Sequence, residues 1–164
     1  MKETTELLSL KWKLLTFSRF DPVLLERWFQ LRQQVFVVEQ CCAYADIDGQ
    51  DGRALHLLGM VTDAVTGNRI AAGARLFAPQ HNAAFSRIGR VVVAAEYRGG
   101  GLGRDLMREA MSACLERWPE APIRIGAQAH LEAFYRSLGF RVISDVYDED
   151  GIAHIDMECR LPIS

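Results

Sequence analysis

The sequence predicts one mixed α/β domain over residues 1–164, with a central sheet flanked by helices. Three observations lead there. Short apolar and β-branched runs alternate with longer segments whose apolar residues recur at helical spacing. No linker, repeat or low-complexity tract divides the chain. A chain of 164 residues suits one domain, and a domain of that size buries about 70% of its unfolded surface without help from disulfides or metal.

The elements follow in order. Residues 12–17 (WKLLTF) read as a first strand. Asp21-Pro22 supplies an N-cap followed by proline at the first helical position, and Val23, Leu24, Trp28, Leu31 and Val35 continue a helix over about 22–34. Residues 36–40 either extend it or start a second short helix. Residues 43–52, with Asp46, Asp48, Gly49, Asp51 and Gly52, read as a loop. Strands over 54–61 and 69–77 form a hairpin through Thr66-Gly67-Asn68. Residues 79–83 are a loop, and 87–93 a strand ending in three valines. A glycine-rich turn at 98–103 opens a long helix marked by Leu102, Leu106, Ala110, Ala113 and Leu115, which stops before Pro119. A strand at 123–127, a helix at 131–138 stopped by Gly139, and strands at 140–147 and 152–161 complete the order. The last two strands meet across Asp148-Glu149-Asp150-Gly151, a hairpin signal.

Composition excludes several function classes. Net charge is −2, with both signs mixed along the chain, which argues against a nucleic-acid footprint. A single Arg98-Gly99-Gly100 triplet inside a strand–helix junction does not make an RNA-binding segment. No apolar run reaches the length of a membrane span, and the acidic N-terminus does not read as a signal peptide. Cys41, Cys42, Cys114 and Cys159 lack C-x-x-C spacing, so no metal site is expected; free thiols in a reducing, cytoplasmic setting fit better than a strained bridge between neighbours.

The chemistry concentrates where the strand Val91-Val92-Val93 runs into Arg98-Gly99-Gly100-Gly101-Leu102-Gly103-Arg104 and a helix opens. Backbone N–H groups at a helix N-terminus have no partner within the helix, and the dipole there favours an anion. Glycines let the main chain approach a phosphate closely, and Arg98 and Arg104 would add charge-assisted bonds. A tight turn without a ligand is the alternative. The segment lacks the Gly-Lys-Ser/Thr of a Walker loop and the glycine spacing of a dinucleotide fingerprint.

Arg98-Gly99-Gly100-Gly101-Leu102-Gly103 resembles the R-x-x-G-x-G/A loop of the GNAT N-acetyltransferase superfamily. Ala133-Phe134-Tyr135-Arg136-Ser137-Leu138-Gly139-Phe140 is similar to a second element of that family, A-x-x-x-F/Y-Y-x-x-x-G-F. Further stretches resemble the ElaA-type group within it: Phe36-Val37-Val38-Glu39-Gln40, Leu55-His56-Leu57, Ile88-Gly89-Arg90-Val91-Val92-Val93, Ala127-Gln128-Ala129-His130, and residues 149–155. The resemblance implies a central sheet with two splayed parallel strands, acetyl-CoA as co-substrate without a metal, and an amine acceptor, small molecule or protein, met directly in a ternary complex. A homodimer is among the expected assemblies. A module that binds acyl-CoA without turnover is the competing function.

The resemblance also implies roles. The loop at 98–104 holds the pyrophosphate, and Val91, Val92 and Val93 lie opposite residues 125–128 around the pantetheine arm. Gln128 stands where relatives contact the cofactor, the alternative being a polar strand end. Tyr135 is the expected general acid for departing CoA, the alternative a packed helix tyrosine. Glu39, His56, Glu96, His130 and His154 are candidates for the base, with His154 and Glu39 foremost. Glu39 equally suits a substrate anchor or a solvated charge. Some relatives place a glutamate on the central strand, but no acid lies between Arg87 and Val93 here. Arg90 and Arg75 interrupt apolar strands and suit either an anionic group on the acceptor or a local acid.

Overall fold

The computed structural model describes residues 9–63 and 67–160. An eight-stranded sheet runs β1 (Ser9–Thr16), β2 (Leu55–Asp63), β3 (Gly67–Phe77), β4 (Ser86–Val93), β5 (Ile123–Gln128), β8 (Ile152–Cys159), β6 (Arg141–Val142), with β7 (Tyr147–Glu149) also on β8. All neighbours are antiparallel except β4 and β5, which are joined by α2 (Leu102–Arg117). A parallel pair needs such a crossover, and its helix covers the sheet. The expected mixed α/β architecture is therefore present.

Two clusters form the core. One packs Leu106, Met107, Ala110 and Cys114 of α2 against β3, β4, β5 and β8. The other packs Trp28 of α1 (Pro22–Arg32) against Leu58, Ile70 and Val92. The β4 valines serve both: Val92 faces the α1 cluster, Val91 and Val93 the α2 cluster. Trp28 fits because Gly73 lacks a side chain, since a Cβ there would stand 2.5 Å from the indole. The Asp21 carboxylate caps α1 by accepting the Leu24 N–H at 2.9 Å.

The structure departs from the sequence expectations in four places. β1 begins at Ser9 and gives way at Phe17 to a 3₁₀ turn. The helix after Arg32 continues through Gln33–Glu39 with the wider π geometry and stops at Cys41, whose φ is +51°. Widening keeps Leu31, Val35 and Phe36 on the same cluster. The expected helix at 131–138 is shorter, a 3₁₀ turn followed by α3 (Glu132–Arg136). The expected strand at 140–147 is broken, because Ser144 Oγ accepts the Asp156 N–H at 2.8 Å in place of a backbone carbonyl. The β7–β8 hairpin closes as expected: Glu149 faces Ile152, and Asp150 (φ +52°) and Gly151 (φ +82°) give the type I′ turn. Thr66 and Leu161, at the edges of two expected elements, lie outside the described residues.

Candidate active site

The sheet opens between its two parallel strands. β4 and β5 pair only at Ser86–Ile123 and Arg87–Arg124. Beyond those rungs β4 pairs with β3 alone, and β5 with β8 alone. Just past those rungs β4 is irregular. Gly73 faces Val92, while Arg75 faces Gly89, so β4 carries one extra residue opposite Ala74. Arg90 takes a left-handed φ of +50° within this bulge. A bulge bends and twists its strand, and from here on β4 runs without β5 as a partner.

The opening exposes main-chain hydrogen-bonding groups. The Ala94 N–H donates to Ala71 C=O at 2.8 Å, and Ala72 faces Val93. In an antiparallel ladder this turns the Val93 N–H and C=O away from β3, towards the gap. At the end of the gap, Gly101 caps α2 with φ +87°, and Gly99 shares that conformation. No side chain caps α2, so its first amides remain available for an anion. Gly103 packs beside Val93, a Cβ there falling 3.7 Å from the valine.

The two loop arginines are already engaged. Arg98 Nε donates to Val93 C=O at 3.0 Å, and its Nη atoms form a two-point pair with Glu39 at 2.6 and 3.1 Å. Arg104 donates to Ser137 Oγ at 2.9 Å and lies over Phe134, tying α2 to α3. The backbone amides at the start of α2 are left without a side-chain cap, while the two arginines hold the turn to β4, Glu39 and α3.

Tyr135 is 7% exposed and packs edge-on against Phe134 and Phe140. Burial raises its phenol pKa to about 12, so it holds its proton at neutral pH. Gln128 ends β5 and donates to Gln40 at 3.2 Å, opposite His154 on β8. His154 Nδ1 lies 2.8 Å from Ile152 C=O, which can only accept. The ring proton of a neutral His154 is therefore on Nδ1, and Nε2 keeps a lone pair, 3.4 Å from Glu149.

Other candidates fall elsewhere. His56 is fully buried, with Nδ1 accepting from Trp28 Nε1 at 3.0 Å and Nε2 donating to Asp51 C=O at 2.9 Å. Burial lowers its pKa, and both ring nitrogens are committed to the fold. Glu96 pairs with Arg69 at 2.6 Å on the surface, and His130 lies on the exposed turn after β5. The Arg98 hydrogen bonds hold the Glu39 pKa below its usual value, which makes it a poor proton acceptor. A groove of about 460 Å³ beside Glu39, lined by Arg27, Gln34, Arg69 and Glu96, lies along α1 and not in the β4–β5 gap.

Arg75 and Arg90 both meet local acids, the alternative that stood beside an acceptor anchor. Arg75, 3% exposed, donates to Asp48 at 2.8 and 2.9 Å and to Asp51 at 3.2 Å. Arg90 Nε donates to Asp46 at 2.7 Å, beneath the Tyr44 and Phe36 rings. Arg32, fully buried, completes the set on Asp46 and Asp51. Sequence reasoning missed Arg32 and the aspartates as partners of Arg75 and Arg90; the available signal was three aspartates, Asp46, Asp48 and Asp51, within one short loop.

An acetyltransferase (GNAT) domain model matches residues 48–161. Protein ElaA of Escherichia coli is 41% identical over 150 residues, covering 90% of this chain and 95% of the relative. A UPF0039 protein of Synechocystis is 36% identical over 155 residues, covering 94% and 98%. The crystal structure of E. coli ElaA superposes with a TM-score of 0.82 at 40% identity, over 92% of this chain and 99% of that one. An acyl-CoA N-acyltransferase from Pseudomonas aeruginosa superposes at 0.83 and 37% identity, with the same coverage. A strand pair that parts at a bulge, with a glycine-rich helix start at its mouth, thus sits in a chain that belongs to the GNAT acetyltransferase family.

Proposed function

We propose that this protein is an N-acetyltransferase that moves an acetyl group from acetyl-CoA directly to an amine, of a small molecule or a protein, in a ternary complex. The observation that carries this reading is the parting of β4 and β5 after two rungs, with Gly99–Gly103 at the end of the gap. The gap suits a pantetheine arm that bonds to the main chain as an added strand does, through groups such as the Val93 N–H. The amides of Gly100, Gly101, Leu102 and Gly103 suit its pyrophosphate. The similarity to the P. aeruginosa acyl-CoA N-acyltransferase supports the same donor class.

The residues suit the chemistry. The amine nitrogen attacks the thioester carbonyl, an oxyanion forms, the C–S bond breaks, and the thiolate takes a proton. A main-chain N–H along Val91–Val93 would hold the oxyanion. Tyr135 is the acid, since it keeps its phenolic proton at neutral pH. His154 is the preferred base: its Nε2 lone pair takes the proton that the amine nitrogen sheds as it bonds to the acyl carbon, and Gln128, its partner across the ladder, suits a cofactor contact.

The test is release of free CoA thiol from acetyl-CoA across a panel of primary amines and peptide amines. Tyr135→Phe should lower kcat at least about tenfold while leaving CoA affinity within about twofold. CoA binding without thiol release from any amine would favour a binding module. Equal rates for Tyr135→Phe and wild type would remove Tyr135 from the acid role.

A further inference from the structure

The bulge on the β4 side of the gap is held by a side chain. Arg90 has a left-handed backbone, a conformation in which an arginine is strained and a glycine is not. A strained residue persists only where its surroundings over-determine it. Here they do. Arg90 Nε donates to Asp46 Oδ1 at 2.7 Å, and Nη2 lies 3.3 Å from Asp46 C=O and 3.5 Å from Asp48. Its guanidinium lies 5.2 Å from the Tyr44 ring centre and 6.0 Å from that of Phe36.

Asp46 cannot readily move to follow it. Its other oxygen accepts from Arg32 Nε at 3.0 Å, and Arg32 Nη2 donates to the Asp46 C=O at 2.9 Å. Asp48 is held by both Nη atoms of Arg75. The loop from Cys42 to Arg53 is thereby riveted to α1, β3 and β4 by three arginines and three aspartates. Arg90 is the rivet within the bulge, on the stretch of β4 just beyond its last rung with β5 at Arg87. A glycine at position 90 would satisfy the φ angle without any of these bonds, so the arginine serves something beyond the local backbone.

We propose that Arg90 is a positioning residue of the acyl transfer: its bonds to Asp46 fix the β4 bulge and thereby the width of the gap that receives the acyl-CoA arm. This rests on the acetyltransferase reading given above. Arg90 acts through the Val91–Val93 main chain and touches neither substrate. It differs from an acceptor anchor, whose loss would raise the KM of the amine.

Arg90→Gly tests it. Glycine tolerates the left-handed backbone without strain, and Asp46 and Asp48 keep Arg32 and Arg75, so the fold has support while the bonds that fix the bulge are gone. The KM for acetyl-CoA should rise at least about fivefold, with the KM for the amine within about twofold. In the free protein, amide exchange over residues 89–93 should quicken. Arg90→Lys should restore neither, since an ammonium cannot reproduce the Nε and Nη2 geometry. A fall in melting temperature with both KM values unchanged would reduce Arg90 to a stabilising ion pair. A rise confined to the amine KM would make it an acceptor anchor. Failure of the wild-type protein to bind acetyl-CoA by calorimetry would overturn the acetyltransferase reading and this inference together, whereas normal wild-type binding beside an unaltered Arg90→Gly would overturn this inference alone.

Discussion

Replacing Arg32 with methionine removes a fully buried guanidinium that donates four hydrogen bonds, at 2.6 to 3.3 Å, to Asp46 and Asp51. Methionine keeps most of the aliphatic volume between Trp28 and Phe29, so packing changes little. The charge balance changes more. Three arginines face three aspartates in the native network; afterwards Arg75 and Arg90 alone face Asp46, Asp48 and Asp51. An uncompensated buried charge costs about 3–5 kcal/mol. At about 2.1 cal/mol/K of unfolding entropy per residue, that lowers the melting temperature of a chain this long by roughly 9–15 °C. Scanning calorimetry near pH 7.5 reads the shift. Arg136→Ala is the control: its pair with Glu132 at 2.6 Å is exposed, and exposed helix pairs contribute under about 0.5 kcal/mol. Adding Asp51→Asn to Arg32→Met restores charge balance and should recover part of the loss. A shift for Arg32→Met no larger than that of the control would refute the claim that this network holds the 42–53 loop to the sheet.

Three other outcomes are expected. Gly73→Ala places a methyl group 2.5 Å from the Trp28 ring, and the overpacking should cost about 1–3 kcal/mol, read by urea unfolding. Gly101→Ala has open space around the added methyl but a φ of +87°; it should lose about 1–2 kcal/mol of stability and weaken acetyl-CoA binding in calorimetry, whereas Gly100→Ala, without a positive φ, should keep its stability. Stability should fall in two stages on acidification, followed by melting temperature from pH 8 to 3. Burial depresses the His56 pKa, so its contribution is present above the unfolded value of about 6.5 and is lost as pH falls below it. Hydrogen bonds from Arg75 hold Asp48 far below the usual carboxylate range, so its contribution is full above about pH 4 and is lost only under stronger acid. A melting temperature constant between pH 7 and 5 would refute the His56 assignment.

Much of the fold was legible because its signals are local. Proline after Asp21, the Asp150-Gly151 pair and the run of glycines before α2 each specify backbone geometry within a few residues. The glycine turn at the start of α2 was legible for the same reason. The bulge was not, since Arg90 is a non-glycine residue in a left-handed conformation that only distant partners support. Asp46 lies 44 residues from Arg90 and 14 from Arg32, and no periodicity links such positions. Aspartates among glycines carry the composition of a solvated loop, yet Asp46 and Asp51 are 5% and 4% exposed. The two arginines show the same limit: an arginine on a strand signals a partner, but spacing does not say whether that partner belongs to a substrate or to the protein. Tyr135 and His154 were singled out by resemblance, and the structure adds their burial, tautomer and neighbours.

The location of the donor is tested most directly by hydrogen–deuterium exchange of the wild-type protein with and without saturating acetyl-CoA, with ATP as the anionic control. Slowed exchange over residues 89–93, 99–104 and 125–128, absent with ATP, is the expected result, since those amides line the β4–β5 gap and the turn at its end. Protection confined to the groove along α1, or no protection at any of these segments, would show that the gap is a feature of the sheet and not the acyl-CoA site.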